Sequence, residues 1–245
     1  MYRMIFDYHT HTIYSKNGHG KGTIEENVRE AVRKGLEGIA ITDHGPGHLT
    51  YGVKRKNFPV MRKEIERLKK AYPEIKIYLG VEANICSRGN NLDVKKDDLK
   101  YFDFIIAGYH YGILHGYCIS NFLFAHGFFR TKKREEKLRK RNTEMNIGAL
   151  EKNKIKILTH PGDKAPVDIE AISKECAKRG VLMEISTHHD HLTKEEIETA
   201  KKEDVGFVIS SDAHRPQVVG TFVSGVERAL SAGLDTARIV NIKEE

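Results

Sequence analysis

Short apolar runs that end in histidines or carboxylates recur along this chain, and they constrain its fold more than any other feature. Seven runs of this type are Met4–Asp7, Gly38–Thr42, Ile75–Val81, Phe104–Gly108, Ile155–Thr159, Val181–Ile185 and Gly206–Ser210. Each is short and almost wholly apolar, which is typical of a strand buried on both faces of a parallel sheet. We therefore predict seven such strands.

Longer charged and amphipathic stretches separate the runs and predict helices. Capping-box patterns begin two of them, at Thr23–Glu26 and Thr193–Glu196. The predicted helices cover residues 23–34, 58–71, 131–152, 168–179, 193–203 and 222–231, with a short helical turn at 97–100. Seven strand–helix units in 245 residues favour an α/β fold, a closed or nearly closed TIM-like barrel forming one domain over 1–245. A doubly wound open sheet is the alternative.

The composition argues against several other classes of protein. The mean hydropathy is −0.50 and no apolar run reaches about 18 residues, so we expect no transmembrane helix. The first residues lack the apolar segment of a signal peptide. Three scattered cysteines do not form a disulfide framework. We expect a cytoplasmic protein that does not associate with membranes.

Potential metal ligands stand where the predicted strands end. Imidazoles or carboxylates follow or end six of the seven strands: His9, His11, His44, Glu82, His110, His160, Asp212 and His214. The sixth strand carries Glu184 and is followed by His188 and His189. Because the carboxyl ends of parallel strands form the active face of α/β folds, we expect these side chains to meet there.

The spacing within two pairs of these residues indicates shared ligation. Side chains at i and i+2 of an extended segment point the same way, so His9 and His11 are able to hold one ion together. Asp212 and His214 have the same spacing. Neutral imidazoles with carboxylates suit Zn, Mn or Fe and leave positions open for water.

Eight candidate ligands exceed the needs of one ion, which usually takes three or four protein ligands. They suffice for two or three ions, and Glu82 has two oxygens with which to bridge them. Neighbouring ions clamp a phosphoryl group and activate water at neutral pH. The set therefore indicates metal-assisted hydrolysis of a phosphate ester, or of an amide or lactone.

Six segments carry a family resemblance: 7–12 (DYHTHT), 41–45 (ITDHG), 80–84 (GVEAN), 107–110 (AGYH), 159–162 (THPG) and 211–214 (SDAH). In this order they resemble the PHP (polymerase and histidinol phosphatase) family, and most of all its stand-alone phosphatase branch. The resemblance covers nearly the whole chain. It implies a distorted seven-stranded (βα) barrel with three divalent metal ions.

The resemblance also implies a ligand set. The first ion takes His9, His11, Glu82 and Asp212; the second takes Glu82, His110 and His160; the third takes His44, His214 and one more histidine. The family usually places that histidine just before Gly-x-Gly, shortly after the first motif. Here position 17 is Asn, and His19 precedes Gly20 and Gly22. We expect His19 to be the ninth ligand through a short loop insertion, with Asn17 as the poorer substitute.

Other residues near the motifs are candidates for supporting roles. Asp7 and Asp43 adjoin ligands and are candidates for orienting imidazoles. Arg215 directly follows His214, where a guanidinium is able to meet a phosphate. The histidines after strand six are candidates for substrate contact: His188, His189 and His191. Those in the loops after strands two and four are expected at the rim: His48, His115 and His126.

The net charge of +7 favours anionic partners. A basic run at Arg130–Arg141 has the composition of a nucleic-acid contact, but glutamates interleave it and favour a solvated helix face. The apolar stretch Asn121–Phe129 precedes this run, and as a loop it is a candidate subunit contact or active-site lid. A homo-oligomer is therefore an open alternative.

We predict a metal-dependent phosphatase that hydrolyses phosphate monoesters of small molecules with metal-activated water. Glu82 and Asp212 are the expected catalytic carboxylates, and Arg215 is expected to support the phosphate charge. The alternatives are a phosphodiesterase or nuclease with the same metals, a histidinol-phosphate phosphatase, and a metal-bearing binding module. No polymerase or helix-hairpin-helix module accompanies the motifs in 245 residues, which weakens a replication role.

Overall fold

Seven parallel strands form the central sheet in this computed structural model, which describes residues 2–128 and 131–245. The strands of the described residues are β1 (Tyr2–Met4), β2 (Phe6–Asp7), β3 (Gly38–Ile41), β4 (Lys76–Asn84), β5 (Phe104–Gly108), β6 (Ile155–Leu158), β7 (Leu182–Ser186), β8 (Phe207–Ser210) and β9 (Ile242–Glu244). Strands β2 to β8 pair in sequence order. This order confirms the predicted seven-stranded arrangement.

Backbone hydrogen bonds join the segment after β2 to the segment after β8. His11 N donates to the Ala213 carbonyl at 2.7 Å, and Ala213 N donates to the His9 carbonyl at 3.2 Å. The first and last strands of the sheet are thereby brought together at their carboxyl ends. The sheet is nearly closed into a barrel, which rejects the open doubly wound alternative.

Helices follow most of the strands and cover the outside of the sheet. They are α1 (Ile24–Arg33), α2 (Phe58–Ala71), α3 (Cys118–Ala125), α4 (Lys132–Lys152), α5 (Ile169–Arg179), α6 (Lys194–Ala200) and α7 (Val223–Ser231). Both predicted capping boxes form, with Thr23 and Thr193 each accepting a backbone bond while Glu26 and Glu196 bond back. The helical turn expected at 97–100 is a 3-10 helix over Lys96–Tyr101.

Helix α2 shows how the outer layer attaches to the barrel. Its apolar residues Phe58, Met61, Ile65 and Leu68 recur at helical spacing and are at most 1% exposed. Burial of each such side chain contributes about 1.5–3 kcal/mol. We expect Leu68→Ala to lower the free energy of unfolding by about 3 kcal/mol, because the shortened side chain leaves a cavity between the helix and the sheet.

The first predicted strand, Met4–Asp7, is two strands in the structure. Residues Tyr2–Met4 pair antiparallel with Ile242–Glu244 outside the barrel, and only Phe6–Asp7 joins the sheet. The buried Asn241 amide secures this end by donating to the carbonyls of Phe6 and Ile209. A pairing between the two ends of the chain has no local sequence signal, so the prediction missed it.

The stretch expected as a loop before the basic run contains helix α3. Its apolar residues are largely exposed, with Ile119 at 78%, whereas Asn121 is fully buried. Asn121 donates to the Tyr109 hydroxyl at 3.0 Å and exchanges two amide hydrogen bonds with Asn142. The helix is thus held by buried polar contacts, which the apolar pattern could not indicate. Phe129 and Arg130 lie outside the described residues.

No helix among the described residues is both long enough and apolar enough to cross a membrane.

Candidate metal centre

Six of the nine predicted ligands line one pocket at the carboxyl ends of the barrel strands, and the other three, His9, His11 and His160, contact Glu82 or Asp212 beside it. The cavity has a volume of about 480 Å³. Its floor is fully buried, since His9, His11 and Glu82 have no exposed surface. Loops after β2, β3, β5, β6 and β8 supply the imidazoles and Asp212, and β4 supplies Glu82. The barrel therefore brings together residues as far apart as positions 9 and 214.

Glu82 stands between two groups of imidazoles. Its Oε1 lies 3.0 Å from Nε2 of His160 and 3.4 Å from Nε2 of His110. Its Oε2 lies 2.9 Å from Nδ1 of His44 and 3.4 Å from Nε2 of His9. Each carboxylate oxygen thus faces a different part of the pocket, which is the arrangement needed to bridge two cations.

His9, His11 and Asp212 form the first group. The two imidazole Nε2 atoms are 3.1 Å apart. Asp212 Oδ1 lies 3.0 Å from Nε2 of His11 and 3.5 Å from Nε2 of His9. The i, i+2 spacing in the sequence therefore does aim both rings at the same carboxylate.

His19, His44 and His214 form another group near the mouth of the pocket. Nε2 of His19 lies 2.9 Å from Nε2 of His44 and 2.8 Å from Nε2 of His214. The ring of His19 also stacks on Tyr51 with centroids 3.9 Å apart. Asn17 is exposed and donates instead to the Thr50 carbonyl, away from these rings.

A glycine allows the loop that carries His19 to return to the barrel. A Cβ at Gly20 would lie 2.1 Å from the Thr12 carbonyl oxygen, so no larger residue fits there. Gly108 likewise leaves room for its neighbours, since a Cβ there would lie 2.2 Å from Thr159 Oγ1 and 3.2 Å from Glu82 Oε1. Close packing of backbone against the ligands thus depends on these two glycines.

The ionisation states of the two carboxylates and of His11 and His19 suit metal ligation. Burial opposes ionisation of both Glu82 and Asp212, but the surrounding imidazoles outweigh it and hold the pKa of each carboxyl well below its usual value. Burial, together with neighbouring His44 and His214, lowers the pKa of His11 well below its usual value and that of His19 to about 3. The carboxylates are therefore charged and these imidazoles neutral near pH 7.

Three buried ring nitrogens in the pocket have no hydrogen-bond partner among the described residues: Nδ1 of His11, His110 and His160. Nδ1 of His44 and Oε2 of Glu82 lie 2.9 Å apart but do not form a hydrogen bond. Unpaired buried polar atoms are costly. Nε2 of His19 faces two other Nε2 atoms, those of His44 and His214, and one ring nitrogen offers only one proton or one lone pair, so it cannot form a full hydrogen bond with both. Divalent ions would satisfy these lone pairs, so the donor set fits metals.

Two of the ligand residues have unusual backbone conformations. His160 has φ of 28° and Asp212 has φ of 49°, in the left-handed region that residues other than glycine rarely adopt. Such conformations are costly and are often found at functional sites. Here each one turns a ligand inward at the end of a strand.

The two aspartates proposed to orient imidazoles instead brace the backbone. Asp7 accepts from Ser211 Oγ, Ser211 N and Gly220 N. Asp43 accepts from both backbone and hydroxyl of Thr12 and of Ser15. They fix the loops on which ligands stand, and neither carboxylate accepts from a ligand imidazole among the described hydrogen bonds.

Glu184 is the residue that orients a ligand ring. Its Oε1 lies 2.8 Å from Nδ1 of His9, and its Oε2 accepts from the backbone of His160 at 2.9 Å. Sequence analysis assigned it no role. The available signal in the sequence was a glutamate within the apolar run Val181–Ile185. In the structure this residue is fully buried in β7.

Further side chains complete the pocket wall. His189 contacts Asp212 Oδ2 at 3.1 Å and forms a three-residue cluster with His160, so it joins the potential ligands. Tyr51 and Lys164 line the mouth and carried no sequence signal. His48, expected only at the rim, is buried in the wall.

Several other candidates lie outside this pocket. His191 is paired with Glu196, and the exposed His126 stacks on Phe122. Arg215 is exposed and lines a neighbouring cleft. Arg134 and Arg141 of the basic run line a groove beside α3 that shares no residue with the metal pocket.

Comparison with known proteins gives a consistent set of relatives. Residues 7–188 match the family model described as the PHP domain. A probable phosphatase of Thermoanaerobacter sp. (strain X514) is 32% identical over 253 residues, covering 98% of this chain and 91% of that protein. A probable phosphatase of Caldanaerobacter subterraneus subsp. tengcongensis is 34% identical over 234 residues, covering 90% and 80% respectively.

A solved structure has the same fold. It is the histidinol phosphate phosphatase of Lactococcus lactis subsp. lactis in complex with zinc, L-histidinol and phosphate. It superposes with a TM-score of 0.65 at 18% identity, and 95% of each chain is covered. At this identity the likeness establishes the shared architecture.

Proposed function

Because this chain belongs to the PHP domain family, whose model covers residues 7–188, we propose that its pocket is a trinuclear metal centre that hydrolyses phosphate monoesters. The chain is a hydrolase of phosphate esters, in line with the phosphatase names of relatives aligned over 90–98% of it. The finer proposal rests on the clustering of the nine predicted imidazole and carboxylate ligands in and directly beside one pocket.

The three groups of side chains divide the pocket into three candidate ion positions. His9, His11 and Asp212 would hold the first, with Glu82 shared by the second, where His110 and His160 lie. The group of His19, His44 and His214 would hold the third. The donor set suits Zn, Mn or Fe.

Divalent ions bound here would supply positive charge to the phosphoryl oxygens and lower the pKa of water. The protein itself contributes position and shape. Glu184 lies 2.8 Å from Nδ1 of His9 and holds its ring, and Tyr51 and Tyr111 line the pocket. Lys164, which pairs with Asp163 at 2.8 Å, lines the same pocket and would contact an anionic substrate there.

The part expected of Arg215 in catalysis stays a prediction, since its side chain lines the neighbouring cleft. The nuclease alternative gains no support from the basic helix α4, whose groove is separate from the pocket. The histidinol-phosphate alternative rests on a structural neighbour at 18% identity, which argues for fold alone. A phosphorylated small molecule is therefore the substrate class that we propose.

The test compares hydrolysis of a phosphomonoester and a phosphodiester by one metal-loaded sample, each with a chelator control. We expect chelator-sensitive release from the monoester and little cleavage of the diester. His9→Ala should abolish turnover, whereas the matched control His126→Ala, at an exposed position, should not. Preferential cleavage of the diester would contradict the monoesterase proposal, and full activity of His9→Ala would contradict the site.

A further inference from the structure

We infer that the cleft beside the metal pocket binds a second anionic group, so that the preferred substrates are organic phosphates carrying another phosphate or a carboxylate. This inference rests on the proposed phosphatase function and names the substrate class of the same site. The cleft has a volume of about 290 Å³ and shares His188 and His214 with the metal pocket. A substrate phosphorylated in the pocket is thus able to extend into the cleft past these two rings.

The charge of the cleft selects for anions. Lys21 and Arg215 both line it, and no aspartate or glutamate does so among the described residues. Neither cation has a salt bridge with another residue in ranges 2–128 and 131–245. By contrast, each lysine and arginine of helices α1 and α5 has a carboxylate partner three or four residues away, as Arg29 and Arg33 do.

The two cations stand on segments that are fixed to each other. Lys21 N donates to the His214 carbonyl at 2.9 Å, which joins the His19 loop to the segment after β8. A Cβ at Gly22 would lie 2.4 Å from Pro216 Cγ, so the two segments touch directly after this bond. The backbones that carry Lys21 and Arg215 are thus held together, and an anion bound in the cleft would meet positive charge from both side chains.

Hydroxyl groups complete the other wall. Thr187 and Thr221 both line the cleft, with their Oγ1 atoms 3.1 Å apart. A hydroxyl pair of this kind is able to turn one O–H toward an anion. The shared wall is also ordered, since the rings of His188 and His214 pack with centroids 4.8 Å apart.

The same electrostatic argument explains why the cleft is not another metal site. Among the described residues, the potential metal groups that include His188 or His214 take their other ligands from the pocket side, namely His11, His19, His44 and Asp212. Cations and hydroxyls alone favour phosphate or carboxylate oxygens. A second phosphate and a carboxylate would both suit this cleft, and the experiment below distinguishes them.

The test measures binding of phosphonates, which the enzyme cannot hydrolyse. Metal-loaded protein is titrated in a calorimeter with α,ω-diphosphonates having two to six methylene groups and with alkyl monophosphonates of equal length. A parallel series of ω-phosphonocarboxylates distinguishes a second phosphate from a carboxylate. We expect at least one probe with two anionic groups to bind about tenfold more tightly than the monophosphonate of equal length, because charge-assisted hydrogen bonds are strong.

Variants locate the effect. Lys21→Ala and Arg215→Ala should each reduce the ratio of the two affinities severalfold, and the double variant should remove it. Lys56→Ala, an exposed cation outside the cleft, is the matched control and should keep the ratio. An equal affinity for both probes at every length, or an unchanged ratio in the double variant, would overturn the inference.

Turnover of the matching esters separates this inference from the proposed function. If the metal-loaded enzyme releases no phosphate from alkyl monophosphates or bisphosphates, the monoesterase proposal fails. The phosphonate ratio then still decides whether the cleft binds a second anion. If both esters are hydrolysed at the same kcat/KM and the phosphonates bind equally, only the anion subsite is wrong.

Discussion

The two cavities that meet at His188 and His214 have opposite electrostatic character. The metal pocket sets two ionised, fully buried carboxylates among imidazoles. The neighbouring cleft has lysine, arginine and hydroxyls in its wall and no carboxylate among its described lining. One attracts cations and the other anions, although both lie at the same edge of the barrel.

This difference arises from position along the chain. Side chains at the ends of strands point into the barrel mouth and are buried, so charge there must be compensated by neighbours or by bound ions. Lys21 and Arg215 stand a few residues further along, where the loops have reached solvent. With metal ions bound in the pocket, a phosphate group held between the two regions would meet positive charge from both sides.

The largest expected effect comes from removing the central charge of the metal pocket. Glu82→Gln keeps the shape of the side chain but loses the carboxylate shared by two groups of imidazoles. We expect turnover to fall by about a thousandfold or more, because several kcal/mol of charge stabilisation disappear with the metals. Metal analysis and steady-state kinetics measure the loss, with the exposed Glu144→Gln as control. Full metal content in Glu82→Gln would contradict the bridging role.

Metal removal should lower the free energy of unfolding, and the size of this decrease should not depend on the residues of the cleft. At a metal concentration about 100 times Kd, binding adds about 2.7 kcal/mol to the free energy of unfolding. For a protein of this size that corresponds to a decrease in Tm of several degrees on chelation. Calorimetry of metal-loaded and chelated samples measures it, and Lys21→Ala should show the same decrease. A decrease that disappears in Lys21→Ala would mean that the two regions are not independent.

Glu184→Gln should weaken the metal pocket without altering its ligands. The variant loses the charged acceptor that lies 2.8 Å from Nδ1 of His9, so the ring becomes a poorer ligand. We expect metal affinity to fall by about 10- to 100-fold. Competition with a chelator of known affinity measures this change. If affinity is retained, the strand packing alone orients His9.

The smallest effect concerns the loop that carries the shared residue His188. His191 in this loop lies 2.9 Å from Glu196, and this contact raises the pKa of His191 above its usual value. A raised histidine pKa stabilises the fold below the unfolded pKa of about 6.5, and this contribution is lost as the pH rises through the folded pKa.

The pair is partly exposed, so we expect His191→Gln to cost less than about 1 kcal/mol at pH 5.5 and still less at pH 8.5. Urea unfolding of both proteins at the two pH values tests this. A larger cost at pH 8.5 than at pH 5.5 would have the wrong sign for the proposed ion pair.

Most of the barrel was predictable because its signals are local. Each strand is a short apolar run, and two helix starts have capping boxes that form as predicted. Helix α3 and the pairing of β1 with β9 were missed, since buried contacts such as Asn121 with Asn142 join distant parts of the chain. Propensity alone does not register contacts of this kind.

The candidate site divides in the same way. The sequence by itself determined the ligand types and the strand ends on which they stand, because spacing along a strand decides which way a side chain points. Only the tertiary structure decided that Glu184 supports His9, that His19 rather than Asn17 faces His44, and that Arg215 leaves the pocket to join Lys21. Those relations depend on how loops from different strands return over the barrel, and loop paths are set by packing and backbone hydrogen bonds across the fold.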